Sequence, residues 1–174
     1  MTSELIVSAE IGSTTGHLSL AGRFYLCALG KSGLVRTKQE GDGGTPIGVW
    51  PLRRLFYRAD RLALPETGLP LHPIDPSHGW CDAPDDAAYN QLVTLPYPAS
   101  HERMWREDGL YDLVVELGYN DDPVVPGGGS AIFLHAARPG YLPTEGCVAL
   151  AQADLLAVLR SCRADSRMIV RRAD

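Results

Sequence analysis

The sequence predicts a mostly β protein that forms a single domain over residues 1–174. It contains 18 glycines and 13 prolines, above average usage, which favours many turns and short strands over a helical bundle. Short apolar segments separated by turn residues recur along the chain, whereas clear helical periodicity is confined to one segment near the C-terminus. With 45% hydrophobic and 21% charged residues, the chain has the composition of a globular protein long enough to bury a core.

The expected strands are short and are bounded by Gly, Pro, Ser and Asn, and the first three form an N-terminal meander. In chain order they cover residues 5–9, 17–21, 23–30, 49–56, 111–117, 130–135, 147–150 and 167–172.

One helix is expected over residues 152–163, because its apolar residues repeat at the spacing of one helix face. Asp154 lies in the first turn, where the helix dipole favours a carboxylate. The apolar residues of this face are Leu155, Val158, Leu159 and Cys162.

Residues 59–109 form the least regular part of the sequence and are expected to be a long loop region. Loops of this length in a compact domain are usually lids or binding segments. Within it, residues 100–105 are expected to form a short helical turn with Ser100 as its N-cap.

A metal site in the same region is a weaker alternative. His72, His78 and Cys81 have the spacing H-x5-H-x2-C, but a fourth ligand is not evident and the spacing matches no familiar zinc pattern. Turn and surface positions are the default interpretation of these residues, so we expect neither a metal nor another cofactor.

The charge pattern argues against nucleic acid as a partner. The formal net charge is −5 and no basic stripe is visible. No apolar segment is long enough to span a membrane. The N-terminal residues lack a basic region, and their apolar stretch is only Leu5–Val7, so we expect no secretory signal and, on these residues alone, a cytoplasmic location.

The four cysteines form no CxxC pair, and without a secretory signal a disulfide is not expected. Cys27 lies in an apolar strand and Cys162 on the helix face, so both are expected to be buried free thiols.

The segment Ile132–Leu150 is the best candidate for chemistry. His135 ends one expected strand and Cys147 begins another, and an imidazole within hydrogen-bond reach can take a thiol proton and activate the sulfur. Gly146 lets the backbone approach a substrate closely, so the N–H groups of Gly146 and Cys147 could stabilise an oxyanion. Core packing is nevertheless the commoner role of a cysteine between apolar residues, and both interpretations stay open on this pattern alone.

A second segment, Lys38–Gly48, has three glycines within four residues and predicts a sharp turn. It lacks the Lys-Ser/Thr ending of a phosphate loop and no helical pattern follows, which excludes a nucleotide site.

Together, EGDGGTPIG at residues 40–48 and LHxxxPxxxxTEGCVAL at residues 134–150 resemble the L,D-transpeptidase catalytic domain (the YkuD-like family). The resemblance extends from about residue 5 to 172. It implies a β-sandwich or barrel-like pair of sheets with one or two helices.

The resemblance also implies roles for the matching residues. Cys147 corresponds to a nucleophile that attacks the L-centre carbonyl of the diamino acid in a peptidoglycan stem tetrapeptide and releases D-alanine. His135 corresponds to the general base, oriented by the main-chain carbonyl of Ala136, and the Gly146 N–H to an oxyanion donor. Carbapenem-type β-lactams are implied as inhibitors.

Five residues are candidates for binding substrate, and two positions depart from the family pattern. Glu145 stands where many members have histidine, and Ala149 where they have Arg or Asn. The five candidates are His101, Trp105, Asp121, Thr144 and Glu145.

Three functions remain open. The first is L,D-transpeptidation, for which the resemblance implies a periplasmic or cell-envelope location. The second is L,D-carboxypeptidase hydrolysis of soluble muropeptides, which a cytoplasmic location favours. The third, a non-catalytic wall-binding module, fits poorly with an intact Cys147 and His135.

Overall fold

The computed structural model describes residues 3–173, which form fourteen strands and one helix. The only helix of this part of the chain, α1, covers Gln152–Leu159. The strands are β1 (Glu4–Ala9), β2 (Thr15–Leu20), β3 (Arg23–Ala28), β4 (Leu34–Val35), β5 (Thr45–Pro46), β6 (Gly48–Tyr57), β7 (Leu71–Pro73), β8 (His78–Cys81), β9 (Leu92–Thr94), β10 (His101–Arg103), β11 (Leu113–Leu117), β12 (Phe133–Ala136), β13 (Val148–Leu150) and β14 (Arg167–Arg172).

Nine of these strands build one large sheet in the order β11-β12-β13-β3-β2-β1-β14-β6-β7. The long strand β6 also pairs with β11, which closes the sheet on itself and leaves β7 outside the ring. Two neighbouring pairs within the ring, β1 with β14 and β12 with β13, run parallel. The mostly β fold that the sequence predicts and the barrel-like arrangement that the resemblance implies are thereby confirmed, with one helix among residues 3–173.

Each face of the sheet packs against its own hydrophobic core. The larger core takes the inward residues of β1, β2, β11 and β14 together with Leu155, Val158 and Leu159 of α1. The smaller core covers the opposite face of β11 and β12. Its members are Phe56, Ile74, Trp80, Met104, Leu110, Tyr111, Val114, Phe133 and Cys147. The candidate nucleophile therefore belongs to the smaller core.

The prediction of a long loop over residues 59–109 is wrong in part, because this region contains a three-stranded sheet in the order β10-β8-β9. The expected helical turn at residues 100–105 is also wrong. His101–Arg103 is β10, and His101 pairs with Cys81 of β8. Pairing with a strand twenty residues away overrides the local capping pattern, which is a weak determinant when a sheet edge is available.

Other boundaries differ from the expected ones by a few residues. β12 begins at Phe133 rather than Ser130, since Ala131 has a positive φ of 52° that leaves the strand conformation. The helix ends at Leu159, four residues early, although Cys162 beyond it is still buried in the larger core.

None of the four cysteines forms a disulfide. Cys27, Cys81, Cys147 and Cys162 are all buried free thiols, as expected for Cys27 and Cys162.

Between residues 3 and 173, no helix is both long and apolar enough to cross a bilayer.

Candidate active site

His135 and Cys147 lie on the same face of two adjacent parallel strands. In the register of β12 and β13, Leu134 is opposite Val148 and His135 is opposite Ala149. Because side chains alternate between faces, Phe133 and His135 share a face with Cys147 and Ala149, while Leu134 and Val148 enter the larger core. The parallel pairing thus brings together two residues that are twelve positions apart in sequence.

Both residues line one cavity of about 440 Å³ that lies between the large sheet, the small sheet and the loop preceding β13. Its lining mixes charged, aromatic and apolar side chains. The lining residues are Lys38, Glu40, Gly41, Asp82, His101, Glu102, Arg106, Leu110, Tyr111, Ser130, Ala131, His135, Arg138, Leu142, Pro143, Thr144, Glu145 and Cys147.

The glycine-rich segment 41–48 packs its backbone against the turn that carries Cys147. A Cβ atom on Gly146 would lie 2.8 Å from the carbonyl oxygen of Gly44. A Cβ atom on Gly30 would lie 2.2 Å from the carbonyl oxygen of Gly43 and 3.0 Å from Cα of Gly146. These close backbone approaches exclude side chains, which is why glycines recur in both motifs.

Hydrogen bonds tie the same segments together. The N–H of Gly30 donates to Oγ1 of Thr45 at 2.9 Å, and the N–H of Thr144 donates to the carbonyl of Leu29 at 2.9 Å. Lys31 in turn donates its N–H to the carbonyl of Thr144 at 2.8 Å. The segment around residue 30 therefore bridges the glycine-rich segment and the turn that holds Cys147.

Thr144 braces the turn from inside. Its hydroxyl donates to the carbonyl of Cys147 at 2.7 Å and accepts the N–H of Gly146 at 3.1 Å. An oxyanion bound by the Gly146 N–H would have to replace the Thr144 hydroxyl as its acceptor.

The thiol of Cys147 sits between two backbone groups. Sγ donates to the carbonyl of Ala131 at 3.2 Å and accepts the N–H of Phe133 at 3.4 Å. Burial raises the pKa of this thiol to about 12, and the nearby carboxylate of Glu102 acts in the same direction. At neutral pH Cys147 is therefore a thiol and depends on a base for its ionisation.

His135 is a neutral base held by one backbone bond. Its Nδ1 lies 2.8 Å from the carbonyl of Ala136, and since a carbonyl only accepts, Nδ1 carries the proton and Nε2 keeps its lone pair. Burial lowers the pKa of the imidazole to about 4. The ring of Tyr111 packs edge-on against it, with centroids 5.3 Å apart.

The structure brings three of the five predicted substrate-binding residues to the cavity. His101 contributes from β10, and its Nδ1 donates to the carbonyl of Ala99 at 2.8 Å. Thr144 lines the cavity from the turn, and Glu145 does so while its exposed carboxylate pairs with Lys31 at 2.7 Å.

Trp105 and Asp121 are not brought to the cavity. The guanidinium of Arg58 stacks over the ring of Trp105 at 3.4 Å, which gives Trp105 a packing role. Asp121 pairs with Arg53 at 2.8 Å beside a different surface depression.

Several cavity residues had no signal in the sequence. Tyr111 stands at the expected start of a strand, and Glu102 inside an expected helical turn, so neither position points to His135 or Cys147. The buried Asn90, which does not line this cavity, had no signal in the sequence either. Its Oδ1 accepts the N–H of Ala131, the residue whose carbonyl accepts the Cys147 thiol. Contacts between distant segments of the chain, rather than any local pattern, bring these residues close to Cys147.

The alternative metal site is not supported by the arrangement of its residues. The rings of His72 and His78 both pack against Phe56, and Nδ1 of His78 accepts the N–H of Asp75 at 3.1 Å. Across the described residues, no three His, Cys, Asp or Glu side chains are close enough together to hold a metal ion.

Comparison with known proteins points to one family. The model of the L,D-transpeptidase catalytic domain (YkuD) matches residues 14–170. No curated protein matched the chain.

Solved structures with similarity to this chain include mycobacterial L,D-transpeptidases. L,D-transpeptidase 1 of Mycobacterium tuberculosis is 16% identical with a TM-score of 0.41, over 98% of this chain and 62% of that one. An L,D-transpeptidase of Mycobacterium smegmatis is 14% identical with a TM-score of 0.44, over 97% and 59%. L,D-transpeptidase 3 of M. tuberculosis is 13% identical with a TM-score of 0.44, over 97% and 61%.

The chain spans about 60% of the length of each of these solved proteins. The family model, in contrast, covers most of the chain and includes both glycine-containing motifs together with His135 and Cys147. The chain belongs to the L,D-transpeptidase catalytic domain family.

Proposed function

We propose that the chain, as a single catalytic domain, transfers an acyl group from peptidoglycan stem tetrapeptides through a thioester on Cys147. The observation that carries the proposal is the pairing of β12 with β13. It sets the Cys147 thiol and an imidazole with a free Nε2 on one face, at the wall of one cavity. Proximity of a nucleophile to an oriented base is the requirement of covalent acyl transfer.

In the first half of the reaction, Nε2 of His135 takes the Sγ proton as sulfur bonds to the carbonyl carbon at the L-centre of the diamino acid. The resting thiol proton points to the carbonyl of Ala131, so it must turn toward His135 before this transfer. The carbonyl oxygen becomes an oxyanion, for which the N–H groups of Gly146 and Cys147 are the proposed donors. The C–N bond to D-alanine then breaks, and the imidazolium gives its proton to the leaving amine.

In the second half, an amine from another stem attacks the thioester carbonyl. His135 takes a proton from the attacking nitrogen, the C–S bond breaks, and the thiol is re-formed. Water in place of the amine gives a tripeptide and makes the same site a carboxypeptidase. A carbapenem-type β-lactam presents a strained amide to the same thiol, so we propose that it acylates Cys147.

The test is incubation of the protein with disaccharide-tetrapeptide, with and without an acceptor stem, followed by mass spectrometry. We expect a dimer with the acceptor present and loss of one D-alanine per turnover. If tripeptide is the only product in both incubations, the enzyme hydrolyses the thioester and the proposed transfer to an amine is wrong.

Variants assign the reaction to Cys147. We expect Cys147→Ala to abolish both turnover and the mass increase on incubation with a carbapenem. Cys162→Ala is the matched control, because Cys162 is a buried thiol of the larger core away from the cavity, and it should keep both. Activity in the Cys147→Ala protein contradicts the proposal.

A further inference from the structure

Glu102 is placed by the small sheet in the wall of the cavity that holds Cys147. It belongs to β10, opposite Trp80 of β8, and its carboxylate is about one-quarter exposed. The hydroxyl of Tyr111 donates to Oε1 of Glu102 in a short hydrogen bond. This hydrogen bond holds the carboxylate at the cavity wall. It uses Oε1 only, so Oε2 takes no part in it.

Tyr111 connects Glu102 to the catalytic pair. Its ring packs against that of His135 at 5.3 Å and against that of Phe133 at 5.9 Å. Phe133 is the residue whose N–H donates to the Cys147 sulfur. Tyr111 therefore contacts both the carboxylate and the imidazole, and Phe133 connects its ring to the sulfur.

The charge of Glu102 is only weakly compensated. The nearest cation, Arg106, lies 3.8 Å from Oε1 but makes its closer pair with Asp108 at 2.5 Å. Burial raises the pKa of the Glu102 carboxyl, whereas the hydrogen bond from Tyr111 and the charge of Arg106 lower it. Two further carboxylates, Asp82 and Glu40, line the same cavity and also raise this pKa. Oδ1 of Asp82 is buried and has no hydrogen-bond partner within residues 3–173.

The other groups around the site do not cancel this charge. Lys38 lines the cavity and favours the thiolate of Cys147, but its ammonium is bonded to Asp42. Glu145 also lines the cavity and opposes the thiolate, but its exposed carboxylate is paired with Lys31. Arg106 and Arg138 act on His135 and, as cations, disfavour its imidazolium.

We propose that Glu102 determines specificity: its carboxylate adds to the effect of burial in keeping Cys147 a thiol, until a cationic group of the ligand, a primary ammonium, binds beside the carboxylate and neutralises it. A carboxylate in the wall of the same cavity as a buried sulfur opposes the formation of a second negative charge. A bound ammonium removes this repulsion and adds its own attraction for the thiolate. Recognition of the cation and activation of the nucleophile are then one event.

The inference rests on the proposed function for its biological ligand, but its test needs no stem peptide. Cys147 in the wild type and in Glu102→Gln is alkylated with iodoacetamide, a neutral reagent, across a range of pH. Glutamine keeps an acceptor for Tyr111 and loses the charge. We expect the alkylation profile of the variant to move to lower pH and its rate at pH 7 to rise roughly fivefold, the effect of modest Coulomb repulsion at close range.

A second measurement tests the recognition of a cation directly. The thiol is modified by two methanethiosulfonates, one carrying an ethylammonium group and one a neutral methyl group. We expect the wild type to favour the cationic reagent by roughly tenfold relative to a small free thiol, and Glu102→Gln to lose most of this preference.

Controls separate charge from structure. Glu66→Gln removes an exposed carboxylate near α1 and should change neither measurement. Tyr111→Phe deletes the hydroxyl but keeps the charge, so its preference for the cationic reagent should persist. An unchanged alkylation profile in Glu102→Gln, or an unchanged reagent preference, overturns the inference. Either result is independent of whether stem tetrapeptides are substrates.

Discussion

At the scale of single residues, the geometry around Cys147, the proposed nucleophile, depends on glycine at position 146. Its φ of +137° lies in a region that residues with a side chain rarely adopt. The backbone of Gly44 approaches it so closely that no Cβ atom fits. Position 146, directly before Cys147, is therefore restricted to glycine for two reasons. One is its backbone conformation, and the other is the close contact with Gly44 of the glycine-rich segment.

Gly146→Ala should destabilise the protein by about 2–4 kcal/mol and slow the alkylation of Cys147, since backbone strain and a clash with Gly44 add together. Urea unfolding and iodoacetamide kinetics measure the two effects. Gly140→Ala is the matched control from the same loop, because it has a positive φ of 75° and open space around its Cβ position. Equal effects of the two substitutions would mean that the contact with Gly44 is unimportant.

At the scale of elements, the small sheet is joined to the large one by buried polar contacts as well as by the smaller core. Arg58, which follows β6, is almost fully buried and donates to the carbonyl of Arg106 at 2.6 Å. Both of its other nitrogens bind the carboxylate of Asp60 at 2.8 Å, and its plane covers Trp105. These contacts of Arg58 fix the chain that follows β10. They thereby fix the part of the cavity wall that contains Glu102.

Arg58→Lys should lower the free energy of unfolding by about 1–3 kcal/mol, because an ammonium cannot reproduce the planar fork or the stacking on Trp105. The measurement is a urea titration. Arg167→Lys, which changes an exposed pair with Glu4, should remain within about 0.5 kcal/mol of the wild type. A loss of the same size in both variants would contradict a special role of Arg58.

Some elements can be predicted from the sequence and others cannot, depending on whether local pattern or long-range pairing determines them. The strand at 167–172 is predicted with its observed bounds, since its alternation and its flanking turn residues agree with its tertiary pairing. β10 is not predicted, because it exists only through its pairing with β8. The His135 and Cys147 pair follows from local pattern and family resemblance, whereas Glu102 and Tyr111 join the site through long-range contacts that no local pattern records.

At the scale of the whole molecule, burial of the neutral His135 links stability to pH. The folded-state pKa is about 4, below the value of about 6.5 of an unfolded chain. The unfolded chain therefore binds the proton first as the pH falls. The contribution of this group to stability is fully present above pH 6.5 and is lost as the pH approaches 4.

Between pH 7.5 and 4, this linkage should remove about 3 kcal/mol of stability from the wild type. Since carboxylates titrate in the same range, the quantity to follow is the difference between the wild type and His135→Gln, measured by urea unfolding at both pH values. The difference should shift by about 3 kcal/mol in favour of the variant at low pH. A constant difference would mean that His135 is not held neutral.

The close contacts among Gly30, Gly43 and Gly146 make the N-terminal half of the chain depend on the C-terminal half. The first half contains the glycine-rich segment but no nucleophile, and the second contains His135 and Cys147 but not the backbone that shapes their turn. Neither half alone contains all parts of the proposed site. A side chain gained at either motif would collide with the main chain of the other, so a substitution in one half of this chain can disturb the turn in the other half.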